Sequence, residues 1–295
     1  MIAAANAGTE GVIREFYATV MKGDIDKAAT FVTPDFIMHV PGKGSNAGEY
    51  WGREGFRIFV DNILEYSGGT FSLDLRTVAV HDNTVFTREL ATLARRQDPR
   101  RRWALPLVMH YTMRHERVSE AWTIPEDLYA YDEYWIPSSG ATSDATAPPS
   151  VAEPPPSGAR AKQNLELVQT LYRYFWDGEF DRIRDFFTAD FVFFAPGRGY
   201  LSGTYRGWNG YLEFRQRLMA ISGGKYRLDV DALGASDTDV FARECIRMNT
   251  TTHPEVQLAY VVMDFEIKGG RIARANDFPV DLYDWEQKFS AGRRT

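Results

Sequence analysis

Cysteine is almost missing from this chain. Cys245 is the only one in 295 residues, so no disulfide can form within it, and a reducing compartment suits it. No run reaches the roughly 20 consecutive apolar residues that a membrane-spanning helix needs. The first residues, Met1-Ile2-Ala3-Ala4-Ala5-Asn6, lack the basic stretch and apolar core of a secretion signal, which makes the cytoplasm the expected location. An excess of positive charge is missing too. With 34 Lys and Arg against 40 Asp and Glu, the net charge of -6 argues against a dedicated nucleic-acid binder. There is no Gly-rich phosphate loop, no Gly-x-Ser-x-Gly elbow and no close His/Cys/carboxylate spacing. The sequence therefore predicts neither a metal nor a nucleotide nor any other cofactor. What it has in plenty is apolar material: 44% hydrophobic and 14% aromatic residues, enough for thick cores or aromatic-lined cavities.

The chain repeats itself. Aligning 33–89 with 188–244 without gaps gives 21 identities in 57 positions. They include Pro41/Pro196, Gly42/Gly197, Gly48/Gly203, Tyr50/Tyr205, Ser67-Gly68-Gly69 with Ser222-Gly223-Gly224, and Arg88-Glu89 with Arg243-Glu244. One deletion changes the offset from 155 to 154 near the end, where Pro125, Asp127, Leu128 and Tyr129 match Pro279, Asp281, Leu282 and Tyr283. Such long copies are domains, not solenoid units. The expected division is a first domain over 1–136, a linker over 137–161, a second domain over 162–289 and a tail over 290–295. The linker carries six prolines and no aromatic residue, the composition of an extended tether. A tether of this length would let the domains pair as a pseudodimer, or swap into a homodimer.

Each copy reads as helices followed by strands. Val12, Ile13, Phe16, Tyr17 and Val20 recur at helical spacing, as do Leu167, Val168, Leu171, Tyr172 and Phe175. A short second helix, a short strand into Pro-Gly, and a third helix over about 54–66 or 209–221 follow. Four strand-like runs close each copy: 70–80, 85–94, 103–114 and 117–123, then 225–233, 240–249, 256–267 and 271–277. Asp82-Asn83 and Lys268-Gly269-Gly270 are hairpin signals. This order predicts an α+β fold, three N-terminal helices packed on one face of a curved antiparallel sheet, twice over.

With His39-x-Pro41-Gly42, Ala47-Gly48-x-Tyr50-x-Gly52, Ser67-Gly68-Gly69 and Trp122-x4-Asp127, the chain resembles the SnoaL-like, polyketide-cyclase-like branch of the nuclear-transport-factor-2-like superfamily. The resemblance implies cone-shaped domains with a cavity between the helices and the concave sheet face. It also implies a polar residue at the end of the last strand. There the second copy has Asn276-Asp277 and the first has Trp122-Thr123. The ketosteroid-isomerase pattern is not met. Its Asp slot holds Val40 or Ala195, and its Tyr slot holds Phe16 or Leu171, with Tyr17 and Tyr172 one residue away.

Candidate catalytic groups follow. Alternation along the last strand puts Asp277 on one face with Ala273 and Ala275, and Asn276 on the other. A buried Asp277 would have a raised pKa and could shuttle a proton. Glu89 and Glu244 stand in apolar stripes of both copies. Such a carboxylate needs a partner or shifts its pKa; it reads either as a pocket acid or, the favoured reading, as half of a structural ion pair with an arginine, one of the other copy included. His39 and His110 of the first copy align with Phe194 and Asp264 of the second, so the two pockets carry different polar groups. Trp122, Tyr17, Tyr172, Trp208 and Asn276 are the candidate substrate-binding residues. Arg95, Arg96, Arg100, Arg101 and Arg102 crowd a turn around Asp98-Pro99. That turn reads as solvated, or as a dock for an acidic partner such as an acyl carrier protein.

The expected function is a cofactor-independent cyclase or isomerase for a small, apolar or polyketide-like metabolite, with Asp277 and then Asp264 moving protons. An epoxide-opening hydrolase or cyclase, and a non-catalytic metabolite-binding protein, are the alternatives.

Overall fold

The computed structural model describes residues 2–136, 159–250 and 255–289. Nearly all of the expected linker, 137–158, and the tail, 290–295, lie outside the described residues. The chain divides into two compact units, Met1–Pro155 and Pro156–Thr295.

In the first unit, α1 (Ile2–Met21) is followed by a single short turn α2 (Ile25–Ala28), then β1 (Val32–Val40), β2 (Gly48–Trp51) and α3 (Gly52–Ser67). The strands β3 (Ser72–His81), β4 (Thr84–Arg95), β5 (Asp98–Arg114) and β6 (Arg117–Pro125) form a meander, and α4 (Leu128–Trp135) ends the unit. The sheet order is β2-β1-β6-β5-β4-β3, with β1 parallel to β6 and every other pair antiparallel. The apolar periodicity of α1 and α3 explains their seating: Ile13, Phe16, Tyr17, Phe56, Val60 and Ile63 are buried. Gly68, at φ 60, ends α3 in the left-handed conformation that glycine adopts without steric cost. Register shifts at Leu75/Thr77, Ala94/Arg95 and Thr112/Met113 interrupt the ladder. Bulges of this kind bend strands, and the sheet is curved yet unclosed.

The second unit repeats this plan. α5 (Ala161–Trp176), α6 (Phe180–Ile183), β7 (Phe187–Ala195), β8 (Gly203–Arg206) and α7 (Gly207–Ile221) precede β9 (Tyr226–Ala235), β10 (Asp239–Met248), β11 (Gln257–Lys268), β12 (Arg271–Pro279) and α8 (Leu282–Lys288). Its strands lie in the order β8-β7-β12-β11-β10-β9, and β7 is parallel to β12.

Three features depart from the sequence reading. The short strands β2 and β8 and the closing helices α4 and α8 were not expected. Asp127 and Asp281 start those helices, each accepting two backbone N–H bonds at 2.9 and 3.1 Å. The arginine-rich turn is also tighter than expected, because β5 begins at Asp98 and only residues 96–97 turn.

Candidate functional site

Each unit encloses a cavity between its helices and the cavity-facing side of its sheet. In the second unit the wall is largely aromatic and aliphatic: Leu171, Phe175, Phe187, Phe191, Phe193, Phe214, Leu218 and Phe265, closed by Trp285 from α8. The space open to the centre of a water molecule is about 80 Å³. Into this apolar chamber project Asp277 from β12, Glu244 from β10, Tyr172 from α5, Tyr211 and Arg215 from α7, and Tyr226 from β9.

Asp277 is 4% exposed, and among the described residues its Oδ1 has no hydrogen-bond partner. Burial alone pushes its carboxyl from the ordinary 3.8 up to about 7. Glu244, also 4% exposed, accepts a hydrogen bond from the Tyr172 hydroxyl. Burial raises its pKa to about 8; the Tyr172 bond draws it down and the Asp277 charge pushes it up. Burial and the neighbouring Glu244 hold the Tyr172 phenol well above its ordinary value, so it stays a donor. Two carboxyls that feel each other in a dry site titrate as a pair. Near neutral pH this pair holds about one proton, the state in which one carboxylate can accept a proton and one carboxylic acid can donate one.

The first unit's cavity has about 100 Å³ open to a water centre and an almost wholly apolar lining. Its carboxyl is Glu89, 3% exposed, which burial raises well above the ordinary 4.5. The Tyr17 hydroxyl donates to Glu89, as does Thr87 at 2.6 Å, and the Tyr17 and Tyr111 hydroxyls are 2.5 Å apart. This carboxyl is hydrogen-bonded, and its burial favours the protonated form. Where the second unit has Asp277, the first has Thr123, whose buried Oγ1 lacks a partner among the described residues. Where the second has Arg215, Tyr211 and Tyr226, the first has Val60, Phe56 and Phe71.

The candidate residues thus separate. Asp277, Glu244 and Tyr172 meet in one cavity, and Glu89 and Tyr17 in the other. The glutamates bond to phenols, not to the arginines expected. His39, His110, Trp122, Asp264 and Asn276 do not line either cavity. Strand alternation is the reason: Met38, Met109, Tyr111, Ala121, Thr123, Met263, Phe265, Ala275 and Asp277 take the cavity side, so the residues between them take the opposite face. There His39 Nδ1 is 3.2 Å from Glu49 and Nε2 is 3.0 Å from Glu120. His39, Trp122, His110 and Phe86 stack with centroid spacings of 5.1, 4.7 and 4.6 Å. Asn276 Nδ2 donates to Asp264 at 3.0 Å. Trp208 packs against Phe187 and Tyr211, outside the cavity lining.

The arginine turn is partly engaged. Arg95 donates to the backbone carbonyls of Glu133, Tyr134 and Ile136. Arg101 pairs with Glu133 at 3.5 Å and lies 4.2 Å from the Trp103 ring centre. Sequence reasoning passed over Tyr111, Arg215, Tyr211 and Tyr226. For the last three the signal was present as an apolar residue in one copy facing a polar residue in the other at the same core position.

Comparison with known proteins matches the plan unit by unit. A family model described as SnoaL-like domain matches residues 13–121 and again 168–275. The chain is similar to the solved structure of Bal32a from a soil-derived mobile gene cassette. The two are 25% identical over 44% of this chain and 98% of that one, with a TM-score of 0.42. It is also similar to a cystatin-like-fold protein of unknown function from Xanthomonas campestris, at 17% identity over 44% and 98%, TM-score 0.40. A third similar structure is TerC co-crystallized with polyporic acid, at 21% identity over 43% and 97%, TM-score 0.39. No curated protein matches the chain. Among the described residues no helix is long and apolar enough to cross a membrane.

Proposed function

The chain belongs to the SnoaL-like domain family, with one copy in each unit, and from that premise we propose that its second unit is a cofactor-independent cyclase or isomerase acting by proton transfer. Its substrate is a small, largely apolar molecule with an acidic C–H next to a carbonyl. The observation that carries the reading is the pair of buried carboxyls, Asp277 at about 7 and Glu244 at about 8, in one apolar cavity. Asp277 as carboxylate removes the proton, its unpartnered Oδ1 being the basic atom. Glu244, kept protonated by burial and hydrogen-bonded to Tyr172, supplies a proton to the oxygen on which charge develops. The aromatic walls fix the substrate's fold, which lowers the entropic cost of ring closure. The first unit binds without this chemistry, because Thr123 replaces the base.

The test begins with thermal-shift screening against aromatic polyketides, epoxide-bearing polyenes and polycyclic terpenoids, since preferential native-state binding raises the melting temperature. Hits are then followed by mass spectrometry and by chromatography for isomers. Asp277→Asn should lower turnover by at least 100-fold while leaving binding within a few-fold. Full turnover by Asp277→Asn removes the mechanism.

A second reading has its own support. Two carboxyls in one cavity also suit epoxide opening, one activating a water or hydroxyl and the other protonating the epoxide oxygen. Incorporation of ¹⁸O from labelled water into the product selects hydrolysis over isomerisation.

A further inference from the structure

Among the described residues, Arg215 is the only arginine or lysine lining the second unit's cavity, and none lines the first unit's. It stands on α7 at a position where helical periodicity calls for an apolar residue, and where the first unit has Val60. Its guanidinium carbon lies 3.7 Å from the centre of the Phe180 ring and 5.5 Å from that of Phe175. Among the described residues its buried Nε has no hydrogen-bond partner, while the guanidinium is hydrogen-bonded to the Tyr226 hydroxyl. A half-buried guanidinium stacked on two aromatic faces, with one N–H buried and unpaired, is set to take up an acceptor.

Its position is informative as well. Arg215, Phe175, Tyr226 and Leu228 line the cavity and also a surface groove beside it, which is open to solvent and continues to Trp176, Met219 and Arg227. Arg215 therefore stands where the cavity meets the surface. It draws the phenols of Tyr211 and Tyr226 downward against the larger effect of burial. Tyr211 feels both Arg215 and the carboxyls Glu244 and Asp277, so the cation and the acid pair face one chamber.

We infer that the substrate of the second unit is an organic acid, an apolar ring system whose carboxylate is held at the cavity mouth by Arg215 with the Tyr226 hydroxyl beside it. The carbon that exchanges a proton then lies at the far end, against Asp277 and Glu244. Guanidinium suits this task because its planar fork matches a carboxylate and is weakly hydrated. This substrate class rests on the reading of the second cavity as the reactive one, while the binding it predicts depends on Arg215 alone.

The probes are 2-naphthoate and methyl 2-naphthoate, titrated calorimetrically into the full chain at pH 6, where Asp277 and Glu244 are mostly neutral. Wild type should bind the acid at least tenfold more tightly than the ester. Arg215→Met should abolish that preference and leave ester binding within twofold. The first unit's cavity, having no cation, cannot create the preference. Arg215→Lys should keep part of it and Arg215→Gln none, which carries the comparison if Arg215→Met fails to fold by circular dichroism. Equal binding of acid and ester by wild type, absence of naphthoate binding, or equal losses for both ligands in Arg215→Met overturns the inference. Asp277→Asn should bind naphthoate like wild type. An intact acid preference beside a catalytically dispensable Asp277 would refute proton transfer alone. A missing acid preference beside Asp277-dependent turnover would refute the substrate class alone.

Discussion

Replacing Asp277 by Asn should make the second unit more stable at alkaline pH than the native sequence, and the size of the gain can be worked out. In the unfolded chain Asp277 ionises around its ordinary 3.8; in the folded cavity it does so only around about 7. Between those values the native state holds a proton that the unfolded state has lost, so stability falls as pH rises. The contribution is complete below about pH 3.8 and exhausted above about pH 7. The interval 7 − 3.8 is about 3 pH units, at about 1.4 kcal/mol each, or about 4 kcal/mol in all. Two of those units lie between pH 5 and pH 7, so a wild-type chain moved from pH 5 to pH 8 should lose about 3 kcal/mol through this one group. Asn keeps the shape and cannot ionise. The assay is urea unfolding at pH 5, 6.5 and 8, followed by circular dichroism. Wild type and Asp277→Asn should be closest at pH 5 and separate progressively toward pH 8, with the variant more stable. Parallel pH profiles would show that Asp277 titrates alike folded and unfolded, and the buried-base mechanism would lose its physical footing.

In the first unit, Thr123→Val removes a buried hydroxyl that has no partner and should stabilise by about 1 kcal/mol, read as a higher melting temperature. Asp132→Asn should destabilise by about 1–3 kcal/mol in the same measurement. The Asp132 carboxylate accepts from the backbone N–H groups of Lys43 and Gly44 at 2.9 Å, tying α4 to the Pro-Gly loop. Glu286→Gln should act likewise in the second unit, where Glu286 takes the N–H of Arg198 and of Gly199, the latter at 2.8 Å.

Much of the architecture was legible because it was written twice. Element order, the Pro-Gly loop and the meander all followed from repeated periodicities. The closing helices did not, since Leu128-Tyr129-Ala130-Tyr131 and its copy are too short and too uniformly apolar to show a helical period, although Asp127 and Asp281 mark their starts. Alternation assigned Asp277 and Asn276 to opposite faces of β12, and the structure puts only Asp277 in the cavity. The same rule applied to β1, β5, β6 and β11 would have set His39, His110, Trp122 and Asp264 aside, but it needs an anchor on each strand, and one sequence offers none. Hydrogen bonds such as Tyr172 to Glu244 join residues 72 apart, a distance at which spacing carries no signal. Arg215 was hidden for a different reason. An arginine on an amphipathic helix looks like its polar face until the matching Val60 shows that the position points inward.

The carboxylate clamp between each last helix and its Pro-Gly loop has a consequence for synthesis. On the ribosome the walls of each chamber emerge first and the helix that seals it emerges last. Tyr131 and Trp135 for the first unit, and Trp285 for the second, are the final pieces of cavity wall to be made. Until they dock, a nascent unit displays an unsealed apolar basin, the kind of surface on which incomplete chains associate. A chain stopped just after Pro125 or Pro279 would carry every strand of its last sheet and still be open. Docking of the closing helix, rather than completion of the sheet, is the event that seals each chamber.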